Sequence, residues 1–420
     1  MQNEREAAVN ILVEIEKERG YSGIVLSRSL NRKGGFDARS RGFITEVVLG
    51  CMRNLILIDY IIDKFSKIHV KKMEPFIRHL LRASVYQIRF MDRIPISAAV
   101  NEAVKLTKHR GFTGLTGFVN AVLRNIARAD TPLPDKEADM CKYLSVKYSF
   151  PLWIVEYYLE RFGSEKAEKI CKSAVLSPRI QICVNTMRIS MSELLNRIEA
   201  EPLGENGAQL LKSSDITKLK EFEDGLFHVM GESSMKAVEI LDPQPGEVVL
   251  DLCAAPGGKS LYCSYLMKNK GCIHAWDIHP HKIDLIKESV ERLGAGSIIT
   301  KATDARLLNK EFIAKADRVL IDAPCTGLGV VGRKPDIKYY RTEKDIHQLA
   351  MLQRDILNVG WQYVKPSGIL VYSTCTLTHT ENEENTAWFQ NNFPFELESE
   401  TLLLPGRSDG FYVARFRRKG

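Results

Sequence analysis

After Gly246 the chain alternates short, mostly apolar runs, at 248–253, 273–277, 297–300, 318–322 and 369–373, with segments of helical periodicity. Runs of that length read as strands, and strands separated by helices pair in parallel, because a parallel neighbour is reached only through a crossover. The pattern predicts an α/β domain, a mostly parallel, doubly wound sheet of Rossmann-like form, with its ligand site along the carboxyl ends of the strands. Polar and thiol side chains fall where that rule asks for them. Asp251 and Cys253 end the first run, Asp277 the second, Asp304 follows the third, Asp322 and Cys325 the fourth, and Cys375 the fifth.

The first run leads into Pro256, Gly257 and Gly258 and then a helix-compatible segment from Lys259. Such a loop lets its backbone approach a ligand closely, and the helix behind it offers free N–H groups. A P-loop requires Gly-x-x-x-x-Gly-Lys-Ser/Thr; Gly258-Lys259-Ser260 supplies the end, but Cys253 stands where the first glycine belongs. Pro256 would also remove a donor from the phosphate cradle. The dinucleotide pattern Gly-x-Gly-x-x-Gly is absent as well. What remains is an acid at the end of the next strand: Asp277, 19 residues after Gly258, suited to the hydroxyls of a ribose. A nucleoside cofactor is favoured.

A length of 420 residues exceeds what one core usually organises. Residues 1–130 read as all helical, with Ala7, Ala8, Ile11, Leu12 and Ile15 on one face, and Val47, Val48 and Cys51 with Leu55 and Ile58 on another that runs through Gly50. Segments 97–108 and 118–126 are also amphipathic, and a small bundle follows. A polar, proline-containing connector at 130–139 marks a boundary; 140–232 is a mixed linker subdomain with helices at 152–161 and 192–199 and a strand at 180–184. The α/β domain is expected over 233–420. The nine cysteines are scattered without a Cys-x-x-Cys pair, which argues against both a zinc ribbon and a disulfide framework, and no apolar run is long enough for a membrane span. A soluble monomer in the cytoplasm, with no membrane contact, is the expectation.

Charge separates the two halves. Residues 1–130 hold 22 Lys and Arg against 13 Asp and Glu, whereas the remaining residues hold 37 against 39. Much of the excess lies in Lys64, Lys67, Lys71, Lys72, Arg78, Arg82, Arg89 and Arg93, a density that suits phosphate contacts as well as a solvated helical surface. Cys325 and Cys375 stand in equivalent positions just past strand ends, in Asp322-Ala-Pro-Cys-Thr-Gly327 and Ser373-Thr-Cys-Thr376. Metal ligation lacks a His or third Cys at ligand spacing, so no metal is expected.

Three stretches, Asp251-Leu-Cys-Ala-Ala-Pro-Gly-Gly-Lys-Ser260, Asp322-Ala-Pro-Cys-Thr-Gly327, and Tyr372-Ser-Thr-Cys-Thr376 followed by Glu381-Asn-Glu383, resemble the signature motifs of RNA cytosine-5 methyltransferases. The N-terminal part, through Arg41-Gly-Phe, Val48-Leu-Gly-Cys-Met-Arg53 and Ala98-Ala-Val-Asn-Glu-Ala-Val104, is similar to the helical RNA-binding domain of NusB. Met235 and His379-Thr380 depart from the family's usual residues without touching a chemical group. The resemblance implies S-adenosylmethionine as cofactor and a cytosine of 16S ribosomal RNA as substrate, in a single-stranded or locally opened region. A transfer RNA enzyme and an inactive RNA-binding factor are the alternatives; the NusB-like part argues against the first and the intact site residues against the second.

The resemblance also distributes roles. Cytosine C5 is a weak nucleophile until a thiolate adds to C6. Cys375 is expected to be that thiolate and Cys325 to assist product release. Asp322 is expected near cytosine N3, with a share in cofactor binding, and Lys259 to orient the reactants. Cys253, Ala254, Ala255, Pro256, Gly257 and Gly258, with Lys259, are expected to wrap the methionine end of the cofactor, Asp277 to take its ribose and Asp304 its adenine amino group. Position alone leaves Asp304 equally a helix N-cap before Leu307.

Overall fold

The computed structural model describes residues 3–18, 21–31, 36–176, 178–212 and 216–420. It divides into two compact units, Met1–Ser177 with Val331–Arg341, and Pro178–Val330 with Thr342–Gly420. The division falls inside the segment 140–232. The helices Met140–Tyr148 and Leu152–Ser173 group with the N-terminal helices, whereas the strands that follow group with the catalytic half.

The first unit is helical among its described residues. Its main helices are Glu4–Glu18, Ser22–Leu30, Ala38–Arg53, Leu55–Phe65, Pro75–Phe90, Ile96–His109 and Thr116–Arg128. Side-chain caps set several starts: Asp37 accepts the Ser40 N–H, and Glu74, followed by Pro75 at the first helical position, accepts that of Ile77. The apolar faces read from the sequence are the core, with Ala8, Ile11, Leu12, Ile15, Val47, Val48, Cys51 and Ile58 all buried. The stripe through Val47 and Ile58 is two helices rather than one, divided at Asn54. Helix Leu152–Ser173 is likewise interrupted at Gly163, whose φ of +73° suits glycine, so the expected end near residue 161 marks its first half.

Residues Val331–Arg341 form a strap that leaves the catalytic half of the sequence and embeds in the first unit. Lys338 is fully buried there, donating to the carbonyls of Arg53 (3.1 Å) and Tyr148 (3.3 Å) and lying 4.5 Å from the centre of the Phe150 ring. Burial lowers its pKa to about 7.

The second unit holds two sheets. Strands β1 (Gln181–Val184), β2 (Ala200–Leu203), β3 (Gly207–Leu210) and β4 (Phe227–Val229) form an antiparallel sheet in the order β2-β3-β1-β4; sequence reading finds only β1 of these. Strands β5 (Val248–Asp251), β6 (Cys272–Asp277), β7 (Ile298–Ala302), β8 (Ala316–Asp322), β9 (Val364–Thr374), β10 (Phe395–Leu403) and β11 (Phe411–Arg418) form a seven-stranded sheet in the order β10-β11-β9-β8-β5-β6-β7. The five expected strands, β5 to β9, pair in parallel. β11 adds antiparallel to β9, and β10 to β11. The sheet's two faces carry separate apolar cores, one with Val249, Ile273, Leu320 and Val371, the other with Leu250, Val319, Ile321 and Tyr372.

Gly50 explains why a glycine lies inside a helix. A Cβ there would stand 1.9 Å from the ring of Tyr86, which is buried with its hydroxyl on Glu46 at 2.5 Å. Gly50→Ala should therefore destabilise the protein by about 1–3 kcal/mol despite the better helix propensity of alanine, read as a lower midpoint in urea; an unchanged or raised midpoint would contradict this packing account.

Candidate active site

Parallel pairing brings the ends of β5 to β9 to one edge. Register sets Asp251 opposite Ala275 and Leu320, Asp277 opposite Ala302, and Asp322 opposite Ser373. The loop 253–259 and Asp277, Asp304, Asp322, Cys325 and Cys375, the site residues expected from the sequence, lie at or just beyond this edge.

The loop after β5 is held from both sides. Ala254 donates its N–H to the Trp276 carbonyl (2.8 Å), and Gly257 closes a tight turn onto the Ala254 carbonyl (2.6 Å). Gly257 has φ of +102°, which favours glycine, and a Cβ there would press on the Ile286 side chain at 3.2 Å. Helix Gly258–Leu266 starts directly behind it and leaves its first N–H groups at the loop. Burial raises the pKa of the Cys253 thiol. Asp277, at the end of β6, accepts the N–H of Ala255 on one oxygen (3.3 Å) and of His279 on the other (3.0 Å), which ties two loops together.

Asp304 is not a helix N-cap: no helix begins near Leu307, and the short 3-10 turn Lys310–Phe312 is capped by Asn309. Its carboxylate accepts the Arg306 N–H (2.9 Å) and pairs with the Arg306 guanidinium (2.6 Å), which holds its pKa below the usual range. A cavity of about 250 Å³ opens beside it, lined by Asp304, Arg306, Leu307, Asp355, Asn358 and Val359.

Three charged side chains meet between β5 and β8. Lys259 donates to Asp322 at 2.6 Å and lies 5.2 Å from the centre of the Phe411 ring, with 11% of its side chain exposed. Ser373 donates to the other Asp322 oxygen at 2.9 Å, so Asp322 receives one donor on each oxygen. Burial works against the charge on Lys259, but Asp322 and Asp251 outweigh it and hold its pKa above the ordinary value. Asp251 is buried, accepts the Ser260 hydroxyl at 2.6 Å on one oxygen and has no hydrogen-bond partner on the other. Burial, with the charge of Asp322 added, raises its pKa to about 7.

The two thiols meet: Cys325 Sγ lies 3.1 Å from Cys375 Sγ, both reduced, and the Cys375 N–H donates to Cys325 Sγ at 3.3 Å. Contact with Cys375, followed by burial, raises the pKa of Cys325 well above that of a free thiol. Cys325 therefore holds its proton more tightly than a free thiol does. Cys375 lies beside Lys259, near enough for its sulfur to help raise the lysine's pKa.

Sequence reading missed the residues that hold these loops. Glu381 and Gln353 are completely buried between them. Glu381 was visible only as part of a motif. Gln353 has a local signal, because it interrupts the buried stripe Ile346, Ala350, Leu357 of helix Glu343–Gly360 at helical spacing. The basic cluster of the first unit also changes. Arg78 pairs with Glu16 (2.6 Å), Arg82 forms two contacts of 2.7 Å with Asp59, and Arg89 donates to the carbonyls of Ile126 and Ala129. These three arginines are internal ties, whereas Lys64, Lys67, Lys71, Lys72 and Arg93 are exposed.

Two family models match the chain: the NusB family over residues 2–128 and 16S rRNA methyltransferase RsmB/F over residues 238–417. The probable ribosomal RNA small subunit methyltransferase B of Bacillus subtilis is 37% identical over 99% of each chain. Among solved structures, PH0851 aligns with a TM-score of 0.82 and 26% identity over 100% of this chain and 99% of its own. NSun6 from Pyrococcus horikoshii with SFG aligns with a TM-score of 0.60 and 25% identity over 64% of this chain and 99% of its own.

Proposed function

The chain belongs to the ribosomal RNA small subunit methyltransferase B family, and we propose that it methylates C5 of a single cytosine in 16S ribosomal RNA through a covalent bond between Cys375 and cytosine C6. Cytosine 967 is the target the resemblance implies. The observation that carries this reading is the 3.1 Å contact of two reduced thiols beside the Lys259–Asp322 pair.

S-adenosylmethionine is the cofactor of this class of enzyme, and the residues fit it. The unpartnered, buried oxygen of Asp251 is an acceptor for a cationic group such as an α-ammonium. The loop from Cys253 to Gly258 leads into the free N–H groups that open helix Gly258–Leu266 and would hold the methionine end, Asp277 at the end of β6 would take the ribose hydroxyls, and Asp304, which borders a cavity, the adenine amino group. The cofactor supplies the methyl group as an electrophile; the protein's residues activate the base that receives it.

Cys375, in contact with Cys325 at 3.1 Å and lying near Lys259, is the attacking thiol. Its sulfur forms a bond to C6 while the C5–C6 electron pair shifts toward N3. Lys259, which donates to Asp322 at 2.6 Å, supplies through that pair the proton that N3 takes up, which leaves an enamine whose C5 takes the methyl group. Release then requires the C5 proton to leave to solvent, the N3 proton to return to the pair, and the C6–S bond to break with its electrons going to Cys375. Cys325, holding its proton, donates to that departing sulfur. Its part in release is therefore that of an acid.

The base must leave its stack for both ring faces to be reached, which favours a single-stranded or opened site. The exposed lysines of the NusB-like unit supply phosphate contacts that fix the RNA without reading its sequence.

Cys375→Ala should lower methyl transfer roughly 10³-fold or more, the scale of losing a nucleophile, and form no denaturation-resistant RNA adduct. Cys325→Ala should accumulate that adduct, seen as a shifted band on a denaturing gel. Equal trapping by both variants would contradict the assignment. Replacing Lys67, Lys71 and Lys72 together by alanine should reduce the slope of log affinity against log salt by about 2, at about 0.7 per phosphate contact on a single strand. An unchanged slope in filter binding would remove these lysines from the RNA surface.

A further inference from the structure

Glu381 has no part in the chemistry described so far, yet it is one of the most completely enclosed carboxylates among the described residues. Four donors converge on it. One oxygen accepts the Thr326 backbone N–H (2.8 Å) and Gln353 Nε2 (3.0 Å); the other accepts the hydroxyls of Thr326 (2.5 Å) and Thr378 (2.7 Å). Thr326 directly follows Cys325, and its hydroxyl also lies 2.6 Å from that of Thr376, which directly follows Cys375. Thr326 has one hydroxyl proton and Glu381 takes it, so Thr376 is the donor to Thr326. A chain of hydrogen bonds thus runs from the Cys375 loop, through the Cys325 loop, to the carboxylate.

The same device brackets both cysteines. Gln353 donates to the Pro324 carbonyl at 2.9 Å, so the residues on either side of Cys325 are fastened, one by Gln353 and the other by Glu381. Asn382 accepts the Thr374 hydroxyl at 2.6 Å and donates to the Thr376 carbonyl at 3.1 Å, which fastens the residues on either side of Cys375. The Tyr372 hydroxyl holds the Glu381 carbonyl at 2.6 Å.

We propose that Glu381 is a positioning residue of the methyl-transfer reaction, clamping the Cys325 loop against the Cys375 loop so that the two thiols stay in contact while the product is released. The inference rests on the two-thiol reading above. Burying a carboxylate to fill space would be costly, and an apolar side chain would do that better; taking two donors on each of two oxygens at the joint of two loops requires a carboxylate. That charge also counts among the causes that keep the proton on Cys325, after the contact with Cys375 and burial. A clamp of this kind matters most at release, the step in which both sulfurs act together.

Glu381→Gln tests it with little change of shape. The amide oxygen can still accept from Thr326 N–H and Gln353, and the two threonine hydroxyls can turn toward its NH2, but the chain that ends on the carboxylate is broken. The expected result is a kcat lower by roughly 10- to 100-fold, the cost of small misplacements in an active site, with the KM for S-adenosylmethionine and the melting temperature close to wild type. RNA adduct should accumulate, because Cys375 still attacks while release is slowed. Thr326→Val removes the shared hydroxyl at nearly constant volume and should trap RNA likewise, while Thr326→Ser should restore turnover without trapping. Wild-type kcat in Glu381→Gln, or a loss of activity that follows a lowered melting temperature with no adduct, would overturn the proposal. If Glu381→Gln does not fold, trapping by Thr326→Val supports the clamp and absence of trapping refutes it. Methyl transfer persisting in Cys375→Ala would instead overturn the two-thiol reading on which the inference rests.

Discussion

Strands β8 and β9 pair in parallel with Asp322 opposite Ser373, and the site depends on that register. The Ser373 hydroxyl donates to Asp322, and the Ala323 N–H to the Ser373 carbonyl at 2.9 Å, so the ladder continues to the edge where both strands end. The loops that leave there start side by side and carry Cys325 and Cys375 into contact after only a few residues. A slip by one residue would turn Asp322 to the other face of the sheet and separate it from Lys259. β5 on the far side of β8 adds the loop and helix that carry Lys259, so three consecutive strands in space assemble Lys259, Asp322 and the two thiols.

The charges at this edge do not balance. Asp251 and Asp322 share Lys259, and the deficit is borne by Asp251, whose buried, half-satisfied carboxyl has its pKa raised to about 7. A cation placed against it would restore the carboxylate and relieve the strain of an unpaired buried acceptor. S-adenosylmethionine carries such charge in both its ammonium and its sulfonium. An overall excess of negative charge around the loop 253–259 therefore matches the cofactor more closely than it would match a phosphate, which is the ligand that Gly258-Lys259-Ser260 first suggests.

Much of this was legible before any coordinates. The five strands, their parallel order of use and the placement of Asp277, Asp304, Asp322, Cys325 and Cys375 at strand ends follow from period and from the rule for open α/β sheets. The helical faces of the first unit were legible for the same reason, since buried stripes recur at helical spacing. What escaped depends on partners far away in sequence. Arg78, Arg82 and Arg89 look like phosphate ligands until Glu16, Asp59 and two carbonyl groups are found against them. Glu381 and Gln353 acquire meaning only when the loops of β8 and β9 close around them. Strands β10 and β11 were the more avoidable omission: Phe395 and Leu397 alternate with Glu396 and Glu398, a plain strand signal that the β/α reading passes over because no helix separates these strands.

The most direct measurement incubates the protein with methyl-labelled S-adenosylmethionine and unmodified small-subunit ribosomal RNA, then locates the label by nuclease digestion and mass spectrometry. The account predicts one labelled nucleoside, 5-methylcytidine, at a single position. Label on any other atom or base, or none with intact protein and RNA, would contradict it.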